Sequence, residues 1–125
     1  MKSPLRYPGG KTRACKILDE IINKNNIRID KIISPFLGGG SFEFYLQNKY
    51  NIKIIANDKF TPLYMFWKNV KENKDELCNK LYKELNKIDK EVFIKMRKEI
   101  IEKKNMEQAL MYFIINRCSF SGATL

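Results

Sequence analysis

Lys31-Ile32-Ile33-Ser34-Pro35-Phe36-Leu37-Gly38-Gly39-Gly40-Ser41 decides how the chain is read. Ile32 and Ile33 form a β-branched run long enough for a short buried strand. Pro35 ends the run, three glycines follow, and Ser41 can cap a helix carrying Phe42, Tyr45 and Leu46 on its apolar face. A strand that stops at a glycine turn and restarts as a helix directs backbone N–H groups into a crevice. Glycine suits that turn because a Cβ would block an approaching ligand and disfavour positive φ. By itself such a turn is equally compatible with an ordinary loop.

The next stretch sharpens the reading. Asn51-Ile52-Lys53-Ile54-Ile55-Ala56-Asn57-Asp58 reads as a second strand ending in an acid, 20 residues beyond Gly38. That is about the spacing at which an acid on the next strand tip meets a ribose hydroxyl. The plainer alternative for Asp58 is a helix cap or a solvated strand-end charge. A dinucleotide fingerprint counted from Gly38 would need glycine at 43, where Glu43 stands. Glu43 near a helix N-terminus would also repel a pyrophosphate. The turn therefore suits a ligand with ribose and no phosphate, such as S-adenosyl-L-methionine (SAM). A nicotinamide-dinucleotide domain is disfavoured on the same ground.

Working outward, residues 1–10 read as an extended arm broken by proline and glycine. Thr12 can start a helix with Ile17, Leu18, Ile21 and Ile22 on one stripe, ended by Asn23 to Asn26. Thr61-Pro62 marks the start of a helix with Leu63, Met65, Phe66, Trp67 and Val70. From about residue 74, Leu77, Leu81, Leu85 and Ile88 recur at helical spacing beneath a Lys/Glu face. A further helix from Asp89 is expected to bury Val92, Phe93, Met96 and Ile100. Asn105 with Gln108 resembles a capping box for a last helix through Leu110, Phe113 and Ile114. Residues 116–125 read as a loop.

Composition sets the outer limits. With 125 residues the chain makes at most one modest domain, and 44% hydrophobic residues suffice for a core. A net charge of +10 favours a polyanionic partner, although lysine-rich coding bias produces the same excess. The lysines of 68–104 are interrupted by acids throughout, so they read as a solubilising face rather than a DNA track. Cys15, Cys78 and Cys118 lack C-x-x-C spacing, and the chain has no histidine. That disfavours a zinc site or disulfide framework and excludes His-based acid–base chemistry. No signal peptide or membrane span is evident, so a soluble, intracellular protein is expected.

Four motifs in one order resemble the Dam-like (α-group) DNA adenine-N6 methyltransferases. They are Tyr7-Pro8-Gly9-Gly10-Lys11, then Pro35 to Ser41, then Asn57-Asp58, then Asn116-Arg117 with Phe120-Ser121-Gly122. The resemblance spans nearly the whole chain. It implies an α/β fold with a partial Rossmann-like SAM-dependent methyltransferase sheet and a helical target-recognition insert. Residues 1–67 would form the SAM-binding part and 68–125 the incomplete insert. The implied function is transfer of a methyl group from SAM to adenine N6 in duplex DNA.

The same resemblance implies roles for single residues. Tyr7 and Lys11 match the SAM-pocket motif, with Lys11 near the methionine end. Phe36, Gly38 and Gly40 match the turn around the methionine part, and Asp58 matches the ribose-binding acid. Lys59 and Phe60 fall close to the adenine edge. Arg117 matches a phosphate-contacting position, and Phe120 and Ser121 a loop touching DNA around the target. Structural alternatives stand beside these: packing for Tyr7, a solvated charge for Lys11, core for Phe36, a helix C-cap for Arg117. An aromatic such as Phe120 beside Gly122 is uncommon on an exposed loop unless it folds back or stacks.

Departures bear on activity. Ser34-Pro35 stands where the family commonly has Glu-Pro, removing a carboxylate able to contact the SAM amino group. Ser121 stands where many members have asparagine. The family's catalytic Asp/Asn/Ser-Pro-Pro-aromatic tetrapeptide is missing, since the sequence contains no Pro-Pro. The chemistry needs that motif because the N6 lone pair is delocalised until an acid and a carbonyl accept the amine hydrogens, while an aromatic holds the flipped base. No catalytic residue is therefore assigned. Two strands are also too few for a stable parallel sheet, so an exposed sheet edge or marginal folding is expected. A second polypeptide carrying the remaining strands would complete it. The rival reading is a catalytically inactive SAM- or DNA-binding remnant, or one half of a split methyltransferase.

Overall fold

The run 31–34 and the run 53–56 are indeed the two strands of a computed structural model that describes residues 2–123. Six α-helices and one 3-10 turn accompany them among the described residues. The order is α1 (Cys15–Lys24), β1 (Lys31–Ser34), α2 (Ser41–Tyr50), β2 (Lys53–Ala56), α3 (Thr61–Glu72), α4 (Lys74–Glu84), α5 (Lys90–Glu99), α6 (Asn105–Cys118) and the turn Phe120–Gly122. The chain forms two compact units, Met1–Asp58 and Lys59–Leu125. Residues 59–67, which the resemblance grouped with the SAM-binding part, thus pack with the helices that follow them.

In the first unit β1 and β2 pair in parallel, with Ile32 opposite Ile54 and Ile33 opposite Ile55. Helix α2 supplies the crossover that a parallel pair requires. One sheet face carries Ser34, which is buried. The other carries Ile33 and Ile55, which stay 67% and 46% exposed. A parallel sheet is normally covered on both faces. The sheet here is covered incompletely on that face.

A polar pin joins α1 to α2. Asp19, buried on α1, accepts hydrogen bonds from Tyr50 Oη at 2.5 Å and Tyr45 Oη at 3.3 Å. It also pairs with the Lys49 ammonium. The hydrogen bond from Lys49, then that from Tyr50, hold the Asp19 carboxyl below its usual range. The Lys49 ammonium is pushed upward by its hydrogen bond to Asp19, then by that to Tyr50. Buried charges persist when paired and hydrogen-bonded in this way.

The second unit is packed by apolar side chains instead. Helix α3 lies against α6, with Leu63, Phe66, Ala109, Tyr112 and Ile115 buried. Phe66 and Phe113 stack with centroids 5.5 Å apart, and Trp67 meets Phe66 edge-on at 5.0 Å. Leu77 of α4 and Ile100 after α5 close the core. Asp89 caps α5 by accepting from the Val92 N–H at 2.8 Å, as its position before the helix implies.

Several local expectations change. Residues 12–14 form a turn, so α1 begins at Cys15 rather than Thr12, and Ile17 and Ile21 of its stripe remain exposed. Ser41, Thr61 and Asn105 are first helical residues, and the capping positions belong to Gly40, Phe60 and Lys104. Gly40 takes φ +66°, and the Ser41 hydroxyl accepts from Thr12 instead of capping. Gln108 forms no capping box: its amide donates to the Ile100 carbonyl at 2.9 Å, satisfying the end of α5. The buried residues of α2 are Phe44 and Leu46, with Phe42 and Tyr45 only half-buried. Leu85 falls just past α4 and is exposed. Residues 116–118 belong to α6, with Asn116 fully buried, so the loop assigned to 116–125 starts later. Met1 of the arm, and Thr124 and Leu125 of that loop, lie outside the described residues. No described helix is long and apolar enough to cross a membrane.

Candidate functional site

The backbone at the strand tips builds the site. Beyond the last paired residues, the Asn57 N–H donates to the Ser34 carbonyl at 2.8 Å, and the Leu37 N–H to the Asn57 carbonyl at 3.0 Å. These bonds carry the pairing past Pro35, whose nitrogen has no proton to donate. They bring Asp58 against the glycine turn, where its carboxylate accepts from the Gly38 N–H at 2.9 Å. The acid and the turn, 20 residues apart in sequence, are therefore in direct contact. Asp58 serves in part as the turn's own clasp, which is neither a helix cap nor a merely solvated strand-end charge.

Close packing makes small residues necessary here. A Cβ on Gly39 would lie 2.8 Å from the Tyr7 Cβ, and one on Gly38 3.0 Å from the Tyr7 ring. At Gly40, where φ is positive, it would lie 2.5 Å from the Phe44 ring. The N-terminal arm thus folds over the turn, and within the arm a bond from the Gly10 N–H to the Tyr7 carbonyl at 3.0 Å fixes its bend. Burial, then the nearby Asp58 carboxylate, push the Tyr7 phenol above its usual value, keeping it a neutral hydroxyl.

Between arm, turn and helix start lies a cavity of about 300 Å³. All six residues singled out for cofactor binding border it: Tyr7, Lys11, Phe36, Gly38, Gly40 and Asp58. Phe36 is 78% exposed, which rules out core packing for it. Tyr7 both packs on the glycines and faces the cavity. The α2 N-terminus contributes Ser41, Phe42 and Glu43. First-turn amides have no intrahelical acceptor, and a glycine cap has no side chain to offer them. The border carries both signs of charge, the Lys11 ammonium with the first-turn amides and the Asp58 and Glu43 carboxylates. Cys15 stands behind this wall, its thiol donating to the Lys11 carbonyl at 3.2 Å. Burial, followed by Glu43, raises that thiol's pKa, so it stays protonated.

In the sequence Glu43 reads only as an obstacle to pyrophosphate. In the structure its carboxylate accepts from Ser34 Oγ at 2.7 Å while bordering the cavity. The available signal is a strand-end hydroxyl followed by a first-turn acid, but only the tertiary turn makes them meet.

Lys59 and Phe60 belong to the second unit, where they border a cavity of about 400 Å³ with the start of α3 and Lys103 and Lys104. The three residues singled out for DNA also lie in that unit. Arg117 is exposed in the last turn of α6, a position that also favours a cation by the helix dipole. Phe120 is 91% exposed, and Ser121 takes φ +51° inside the short 3-10 turn. The ring of Phe120 therefore does not fold back into the core. Left-handed φ in a residue with a side chain is uncommon and sharpens the bend at the aromatic.

Comparison with known proteins bears on the whole chain. It is 30% identical over 136 aligned residues to the type II methyltransferase M.MjaIII of Methanocaldococcus jannaschii. The alignment covers 98% of this chain and 47% of that protein, so the chain spans about half the length of the relative it matches. Residues 7–125 match the D12 class N6 adenine-specific DNA methyltransferases, and the chain belongs to that family.

Proposed function

We propose that the chain is the SAM-binding and part of the DNA-recognition region of a SAM-dependent methyltransferase that modifies adenine N6 in duplex DNA. The observation that carries this reading is the convergence of Tyr7, Lys11, Phe36, Gly38, Gly40 and Asp58 on one cavity at the tips of two parallel strands. SAM, when bound, supplies an electrophilic sulfonium methyl. The α2 N-terminus and Lys11 hold the carboxylate of its amino-acid end. Asp58, oriented by Gly38, accepts from the ribose hydroxyls. Phe36 lends an exposed aromatic face to the cavity mouth. Arg117 binds a DNA phosphate, while Phe120 and Ser121 contact bases around the target.

The acceptor-activating groups come from elsewhere, because the sequence contains no Pro-Pro. The open face at Ile33 and Ile55 supports cover by further elements of a Rossmann-like fold. The missing tetrapeptide equally favours a second reading, in which this chain binds SAM without turning it over.

Calorimetry with S-adenosylhomocysteine tests the pocket. Binding should weaken roughly tenfold or more in Asp58→Ala and Lys11→Ala, the scale of a lost charge-assisted hydrogen bond. No heat with the unsubstituted chain overturns the proposal. Labelled-methyl transfer to adenine-containing duplex DNA by the purified chain decides for a self-sufficient enzyme. Binding without transfer decides for the remnant or half-enzyme.

A further inference from the structure

The cavity at the glycine turn is bordered by one carboxylate that the contacts proposed above leave unused. Glu43 sits in the first turn of α2, half-buried, at the edge of the cavity. Its side chain is turned back toward the end of β1, where Oε1 accepts from the buried Ser34 hydroxyl at 2.7 Å. That bond occupies one lone pair of a group able to accept about four. The carboxylate is thereby oriented while retaining capacity to accept more. A carboxylate in the first turn of a helix is favoured by the helix dipole.

We infer that Glu43, oriented by Ser34, is the acceptor for the α-ammonium of the ligand's amino-acid end. The inference rests on the proposed SAM reading and adds a specificity residue to that pocket. An α-amino acid carries its ammonium and carboxylate on one carbon, so its binding site must present opposite charges a few ångströms apart. The cavity border carries both signs: the Lys11 ammonium and the first-turn amides of α2, and the Glu43 carboxylate in that same turn. Asp58 is engaged with Gly38 at the tip of the other strand. The same carboxylate disfavours phosphate, so one residue selects an amino-acid nucleoside and rejects a nucleotide.

The test uses the full chain and three ligands: S-adenosylhomocysteine, its analogue lacking the α-amino group, and methylthioadenosine, which lacks the whole amino-acid end. Glu43→Gln should weaken S-adenosylhomocysteine roughly tenfold, the scale of one charge-assisted hydrogen bond, and leave the other two within about twofold. Ser34→Ala should act in the same direction by a smaller factor. Equal weakening of all three ligands, or of none, overturns the inference while leaving the SAM reading intact. Failure of the unsubstituted chain to bind S-adenosylhomocysteine overturns both.

Discussion

The two compact units both bury apolar side chains, but they differ in what joins their helices. In the second, aromatic and aliphatic side chains from α3 and α6 interlock around Phe66 and Tyr112, both almost wholly buried. In the first, the contact between α1 and α2 is made by a charged group and its hydrogen-bond partners. Its sheet meanwhile leaves isoleucines on an open face. Apolar burial is non-directional and contributes in proportion to area, whereas a buried carboxylate network requires every partner in place. The unit that carries the candidate ligand site is thus the one with less apolar burial to hold it. Binding and covering elements have most to add there.

The largest effect should come from opening the second unit's core. Phe66→Ala removes a ring packed against Trp67, Tyr112 and Phe113, and large-to-small changes of that kind cost about 3–5 kcal/mol. Urea denaturation should show the helical signal lost at a much lower midpoint. A shift under about 1 kcal/mol, far below the cost of such a cavity, would mean that the α3–α6 contact is not where this unit's stability resides. Next in size is ligand-linked protection of the first unit. S-adenosylhomocysteine at a hundredfold excess over its dissociation constant should add about 2.7 kcal/mol to the opening free energy of whatever it clamps. Hydrogen exchange should then slow at Gly38 to Phe44 and Asn57. Uniform slowing across α3 to α6 as well would erase the distinction drawn between the units.

Much of the first unit is legible in the sequence because its signals are local. Two β-branched runs, a proline, three glycines and an acid at fixed spacing specify strand, turn, helix and strand with little tertiary help. The contact of Asp58 with Gly38 follows from that order once the strands pair in parallel. Asp19 is not legible. It lies within a helix whose visible stripe is Ile17, Leu18, Ile21 and Ile22, and nothing nearby in sequence tells a buried charge from a solvated one. Its partners Tyr45, Lys49 and Tyr50 come from 26 to 31 residues away. Ser34 and Glu43 are hidden for the same reason, although only nine residues separate them. The caps expected at Ser41, Thr61 and Asn105 each fall one position earlier, because residue type marks a helix start to within a position but not which residue occupies the cap.

The Asp19 pin offers a pH-dependent test of the contrast. Its folded-state pKa is depressed from the usual 3.8, so the stabilisation it gives is fully present above that value and is lost as pH falls through the lower, folded one. The first unit should therefore loosen on acidification below about pH 4, ahead of the second, whose core contains no comparable buried acid among the described residues. Asp19→Asn should lower stability at neutral pH and flatten that acid limb. Tryptophan fluorescence reports only the second unit, since Trp67 lies there, so exchange at α1 and α2 amides is the required readout. An unchanged acid limb in Asp19→Asn would move the origin of any acid lability elsewhere.

The smallest effect on stability, and the most informative about covering elements, is expected on the open sheet face. Ile33 is exposed beside Lys31 and opposite Ile55, with Lys53 next to Ile55 on the same strand face. Ile33→Glu removes little buried area and places an acid between lysines, so folding free energy should change by no more than about 0.5 kcal/mol. Association should respond instead. An apolar strand face without cover promotes contact between copies or with a completing polypeptide. Sedimentation velocity should show the unsubstituted chain associating as its concentration rises, and Ile33→Glu shifted toward monomer. A monodisperse, cooperatively unfolding wild-type chain would show that the two strands need no further cover. Further elements covering that sheet face would then lose their physical rationale, while the ligand pocket, which is built on the strand tips, would not.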